Sequence, residues 1–81
     1  MKYEINIDKL GETLSSRATA ANRETLKYYG CDNASFESRR RFAAQAQLVR
    51  DLDIPLDLAT DEEDGKELYT AITIAGKVWT I

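Results

Sequence analysis

Polar and apolar positions change period twice along this chain. From Lys2 to Ile7 they alternate, with Tyr3, Ile5 and Ile7 on one side and Lys2, Glu4 and Asn6 on the other. That is the period of a half-buried strand. Asp8 follows as an N-cap, where its carboxylate can accept from the free amides of a first helical turn. From Lys9 the spacing becomes helical: Leu10, Leu14, Ala18, Ala21, Thr25, Tyr28 and Tyr29 share one arc, opposite Glu12, Ser16, Thr19, Arg23 and Lys27. Gly11 is a poor helix former, but the register on either side of it is unbroken. Gly30 supplies the left-handed residue that commonly ends a helix, which predicts one amphipathic helix over residues 9–29.

Cys31-Asp32-Asn33 is a short link, and Asp32 or Asn33 can cap a second helix whose first turn holds Glu37. Its apolar arc is Phe42, Ala46, Leu48, Val49 and Leu52, with Ser38 and Gln45 inside it. This helix must stop before Pro55. So short a link makes the two helices an antiparallel hairpin. Ile54, Leu56 and Leu58 then read as a brief extended crossing, and Asp61-Glu62-Glu63-Asp64-Gly65 as a solvated turn. Leu68, Thr70, Ile72 and Ile74 alternate against Tyr69, Ala71 and Thr73, a strand rich in β-formers. Ala75-Gly76-Lys77 resembles a type I turn with a glycine bulge, and Val78–Ile81 returns as a partner strand with Trp79 and Ile81 inward. The order is β-α-α-β-β. The predicted architecture is an α+β two-layer sandwich, the helical hairpin packed on a small, mostly antiparallel three-stranded sheet.

Composition sharpens this picture. The 81 residues 1–81 suit one domain, and one so small buries only about 60% of its unfolded surface. Cys31, the one cysteine, has nothing to pair with, and there is no histidine. Neither a disulfide nor a zinc ion is therefore expected as a staple. The lone cysteine and the lack of a signal-like segment point to the cytoplasm, and no apolar run approaches a membrane span. Charge is uneven: residues 1–50 carry nine Lys/Arg against six Asp/Glu, whereas residues 51–81 carry two against eight.

Several chemistries fall away. Without histidine the commonest general base is missing, and Cys31 follows a helix C-terminus, where the dipole disfavours a thiolate. A calcium loop with Gly65 at its sixth position would need a bidentate glutamate where Ala71 stands. The four glycines match neither a phosphate loop nor a dinucleotide fingerprint. No enzyme activity, cofactor or metal is expected.

What remains is surface. Arg39-Arg40-Arg41 diverge by about 100° per residue, so they cannot form one stripe. Phe36, Arg39, Arg40, Ala43, Gln47 and Arg50 instead make an outward face opposite Phe42, Val49 and Leu52. Guanidinium groups around a phenylalanine suit an acidic protein partner or a phosphate backbone. The bland alternative is a solvated face with local Glu37–Arg41 and Asp53–Arg50 pairs. A helix-turn-helix is disfavoured, because Leu26 stands where a small residue is needed, and an acidic C-terminal third opposes DNA. The eight carboxylates of residues 51–67 could themselves imitate a nucleic-acid backbone, as in small acidic inhibitors made by phages and other mobile elements. The reading is a non-enzymatic protein-interaction module, an adaptor or inhibitor. Nucleic-acid binding through the arginine face is the alternative, and a weak homodimer through the C-terminal strand a further expectation.

Overall fold

The computed structural model describes residues 5–28 and 34–81. Two helices, α1 (Ile7–Tyr28) and α2 (Ala34–Asp51), precede three strands, β1 (Leu56–Glu63), β2 (Lys66–Ile74) and β3 (Lys77–Thr80). The strands form one antiparallel sheet in the order β1-β2-β3, and the helical hairpin packs on it. The α+β class and the helix-on-sheet layers are those the sequence predicts. The expected element order is corrected. Ile5 and Asn6 are not in a strand, Ile7 already belongs to α1, and the third strand is β1. The described elements thus run α-α-β-β-β. The rest of the expected first strand, Lys2 to Glu4, lies outside the described residues, as do Tyr29, Gly30 and the 31–33 link.

The start of α1 explains why alternation misled. Asn6, not Asp8, is the N-cap: its Oδ1 accepts from the Lys9 amide at 3.1 Å, and its carbonyl accepts from Leu10 N–H at 3.0 Å. Ile5 and Leu10 therefore hold the positions of a hydrophobic staple, and both line one shallow recess. Ile7 packs against the core from the helix. Two isoleucines spaced by two residues thus serve a cap and a first turn rather than a pleat.

The end of α2 follows from Pro55 and from a reversal at Asp53, whose φ is 61°. Ile54 N–H bonds Val49 O at 3.4 Å and Asp53 N–H bonds Arg50 O at 2.9 Å, the paired pattern of a Schellman cap. Ile54 then packs on the core cluster that includes Val49.

Within the sheet, β1 is longer than its brief apolar alternation suggested. It runs through Asp61-Glu62-Glu63, and only Asp64-Gly65 turn, both at positive φ. The second turn is also corrected. Ile74 pairs directly with Lys77, and Ala75 and Gly76 lie at φ 50° and 84°, a two-residue hairpin turn of the I′ kind without a bulge. The bulge sits instead in β2. The register slips between Ala59 and Thr60, because Ala59 faces Ala71 while Thr60 faces Tyr69, so Thr70 is the extra residue. Tyr69, Ile72 and Ile74 are consequently all buried, although an unbroken strand would put Tyr69 and Ile72 on opposite faces. Trp79 and Ile81 face the core as expected, while Val78 is 64% exposed.

The core joins Leu14, Ala18 and Ala21 of α1 to Phe42, Ala46 and Val49 of α2 and to Leu56, Tyr69, Ile72 and Ile74 of the sheet. Phe42 and Tyr69 form a tilted ring pair with centroids 4.6 Å apart. Gly11 gains its reason here. A Cβ at that position would lie 2.1 Å from the Trp79 indole, so the missing side chain is the seat of the tryptophan. One turn beyond the buried Ala18, Asn22 receives Tyr69 N–H at 2.9 Å on Oδ1 and donates Nδ2–H to Tyr69 O at 2.8 Å. A helix side chain thus satisfies both backbone groups of the residue beside the bulge.

Candidate functional site

The six residues predicted to form one face of α2 do not stay together. Arg39 turns toward the sheet, its guanidinium 4.9 Å from the Tyr69 ring centroid. There it donates to Glu67 O and to Glu67 Oε1, the latter at 3.2 Å. Arg50 donates from Nε to Leu56 O at 3.3 Å. Both arginines therefore tie α2 to strand backbone, one to β2 and one to β1. Arg40, Ala43 and Gln47 are exposed, and Gln47 Nε2 donates to Asp51 Oδ1 at 3.0 Å. Phe36 is on α2, but its side chain lies outside the described residues. The pairs expected between Glu37 and Arg41 and between Asp53 and Arg50 do not form. Among the described residues neither Arg40 nor Arg41 has an ion pair.

The helix wheel explains the split. Phe42, Ala46 and Val49 face the core, and the two flanks of that stripe differ. One flank, with Arg39 and Arg50, overhangs the sheet. The other carries Leu48 and, just past the end of α2, Leu52, each 64% exposed although both fall within the apolar arc expected from the sequence. Leu48 lies about 120° from Phe42 on the wheel, too far round for one helix to bury both against the same neighbours. The signal was present in the sequence as an apolar arc too wide for a single contact.

Leu48 and Leu52 line a recess of about 300 Å³ along the seam between the helices, together with Gln45 of α2 and Leu10 and Thr13 of α1. Gln45 Oε1 is shielded from solvent with no donor among the described residues. Further along, toward the start of α2, the seam is lined by Arg17 and Ala20 of α1 and Ser38 and Arg41 of α2. At its other end α2 finishes at Asp51, whose carboxylate is held by Gln47, and the chain reverses at Asp53. The seam is thus apolar around Leu48 and Leu52 and carries Arg17 and Arg41 toward the start of α2.

The acidic segment read as a nucleic-acid imitator is divided by the fold. Asp57, Asp61, Glu62 and Glu63 lie along β1, a border strand of the sheet, and Glu67 is held by Arg39. Among the described residues no three of His, Cys, Asp and Glu converge to hold a metal ion, and no helix is long and apolar enough to cross a membrane. The arrangement offers contact: a partly apolar helical surface above a sheet that anchors it. Set beside known protein families, curated proteins and solved structures, the chain matches none of them.

Proposed function

We propose that this domain works by surface contact with another protein chain, as a small cytoplasmic adaptor or inhibitor, and not as an enzyme. The observation that carries the reading is the outward surface of α2. Leu48 and Leu52 stand 64% exposed one turn apart, and Arg40 and Arg41, exposed two turns nearer the start of the helix, have no ion pair among the described residues. Isolated exposed leucines are ordinary, but two stacked on one helix face and continuous with Leu10 make an apolar patch with charged borders, the form that protein contacts take. Arg39 and Arg50 contribute by holding α2 rigidly to the sheet, so the surface is presented rather than formed on contact.

A photo-crosslinking residue placed at position 48 in the host cell tests this, with the same residue at Thr73 on β2 as control. Discrete protein adducts from position 48 that are missing from position 73 are the expected result. Turnover of a substrate by the purified protein, lost on a point substitution, would replace this reading with an enzymatic one.

A further inference from the structure

We propose that Arg17, Ser38 and Arg41 form a binding site for a phosphomonoester group. The site is separate from the patch around Leu48 and Leu52 and stands whether or not that patch meets a partner. Between the helices lies a recess of about 160 Å³, lined by Arg17 and Ala20 of α1 and by Ser38 and Arg41 of α2. Within each pair the residues are three apart, so each helix brings one guanidinium and one short side chain to the same space.

The fold makes no use of these two arginines. Arg39 and Arg50 are bound to strand carbonyls, whereas Arg17 and Arg41 have neither an ion pair nor a hydrogen bond among the described residues. Carboxylates are near but do not answer them. Glu12 shares a neighbouring recess with Arg17, Glu24 lies one turn beyond Ala20 and Glu37 one turn before Arg41, yet none pairs with either arginine. Two like charges bordering one space repel, and an anion set between them turns that repulsion into attraction.

Charge and size choose the anion. Two guanidinium groups match the charge of about −1.5 to −2 on a phosphomonoester, while a carboxylate or a phosphodiester brings a single negative charge. Its terminal oxygens can accept from both guanidinium forks and from the half-buried Ser38 hydroxyl. A space of about 160 Å³ is roughly five water volumes, well under the roughly 300 Å³ at which pockets for whole small molecules begin. The recess therefore takes the phosphoryl group and leaves its bearer outside.

Titration of the isotope-labelled full chain at physiological ionic strength, followed by proton–nitrogen correlation spectra that include the arginine Nε–H signals, tests the proposal. The probes are inorganic phosphate, a short alanine peptide with a central phosphoserine, the same peptide unphosphorylated, and a single-stranded DNA oligonucleotide. Saturable shifts are expected at the Ser38 amide and at the Arg17 and Arg41 Nε–H groups with phosphate and phosphopeptide, and none with the unphosphorylated peptide. Arg17→Gln and Arg41→Gln should each raise the dissociation constant about tenfold, as loss of a charge-assisted hydrogen bond does. Arg23→Gln removes the same charge from another exposed position on α1 and should change it by less than about twofold, because salt screens distant charges. All three side chains are exposed, so the variants should keep the wild-type backbone spectrum.

Phosphopeptide bound more tightly than inorganic phosphate assigns the site to a phosphorylated polypeptide. Equal affinities assign it to the phosphoryl group alone, free or on a small molecule. The absence of saturable shifts with both probes overturns the proposal, and so does a loss on Arg23→Gln as large as on Arg41→Gln. An oligonucleotide bound more tightly than the phosphopeptide also overturns it, in favour of a phosphodiester backbone.

Discussion

Gly11→Ala should reverse the usual sign of a glycine-to-alanine change in a helix. In an ordinary helix interior the substitution stabilises by about 1 kcal/mol, through lower backbone entropy in the unfolded chain and better propensity. Here the new methyl would lie 2.1 Å from Cε2 and Cζ2 of Trp79 and 2.5 Å from Cδ2. Carbon atoms in contact sit at about 3.5–4.0 Å, so the indole would have to retreat by about 1.5 Å. Trp79 cannot do so while keeping its place, because it stands opposite Ile72 in the sheet and packs on the core. Overpacking of this kind costs about 1–3 kcal/mol. Set against the propensity gain of about 1 kcal/mol, the expected net effect is a loss of up to about 2 kcal/mol. Trp79 is the single tryptophan, so urea unfolding can be followed by its emission alongside far-ultraviolet circular dichroism. The native emission of Gly11→Ala should shift to the red as the ring leaves its seat. In a Trp79→Ala background the same substitution should instead stabilise by roughly 0.5–1 kcal/mol. A Gly11→Ala protein more stable than wild type, with unchanged emission, would refute the packing argument.

Asn22→Ala leaves both backbone groups of buried Tyr69 without partners, and equilibrium unfolding should register a loss of about 1–3 kcal/mol. Arg39→Ala removes the contacts with Tyr69 and Glu67 and should cost about 1 kcal/mol, whereas the exposed Arg40→Ala should change urea stability by less than about 0.5 kcal/mol. Phe42→Ala empties the centre of the core at a cost of about 3–5 kcal/mol, enough to depopulate the native far-ultraviolet spectrum in a domain this small. Ala75→Asn, at a position with φ 50°, should raise the thermal midpoint by relieving about 0.5–1 kcal/mol of left-handed strain.

The parts of the fold written in long periodic runs were readable from the sequence. Leu14, Ala18, Ala21 and Thr25 repeat at the helical period for long enough that only one face can be buried, and all four are. Ile72, Ile74 and Trp79 likewise declare the inner side of the sheet. What escaped was set by single atoms or by partners distant in sequence. The Ile5-Asn6-Ile7 alternation is too short to distinguish a strand from a capped helix start, and the Asn6 side chain decided it. The Thr70 bulge has no local signal, since it shows only in the register against β1. The arginine face failed to stay whole because a helical wheel does not say where a sheet lies. Arg39 and Arg50 point to strands that only the tertiary arrangement brings beside them.

The ties between the first helix and the sheet also govern the order in which this molecule can mature on the ribosome. Asp8 meets Lys77 across 69 residues, and Asn22 meets Tyr69 across 47. The helices are synthesised first and can associate locally, but the stripe of Leu14, Ala18 and Phe42 stays uncovered until the strands emerge. Trp79 must clear the exit tunnel before it can reach Gly11. Final locking therefore waits for β3, and until the strands are available the helical hairpin has no sheet against its apolar side.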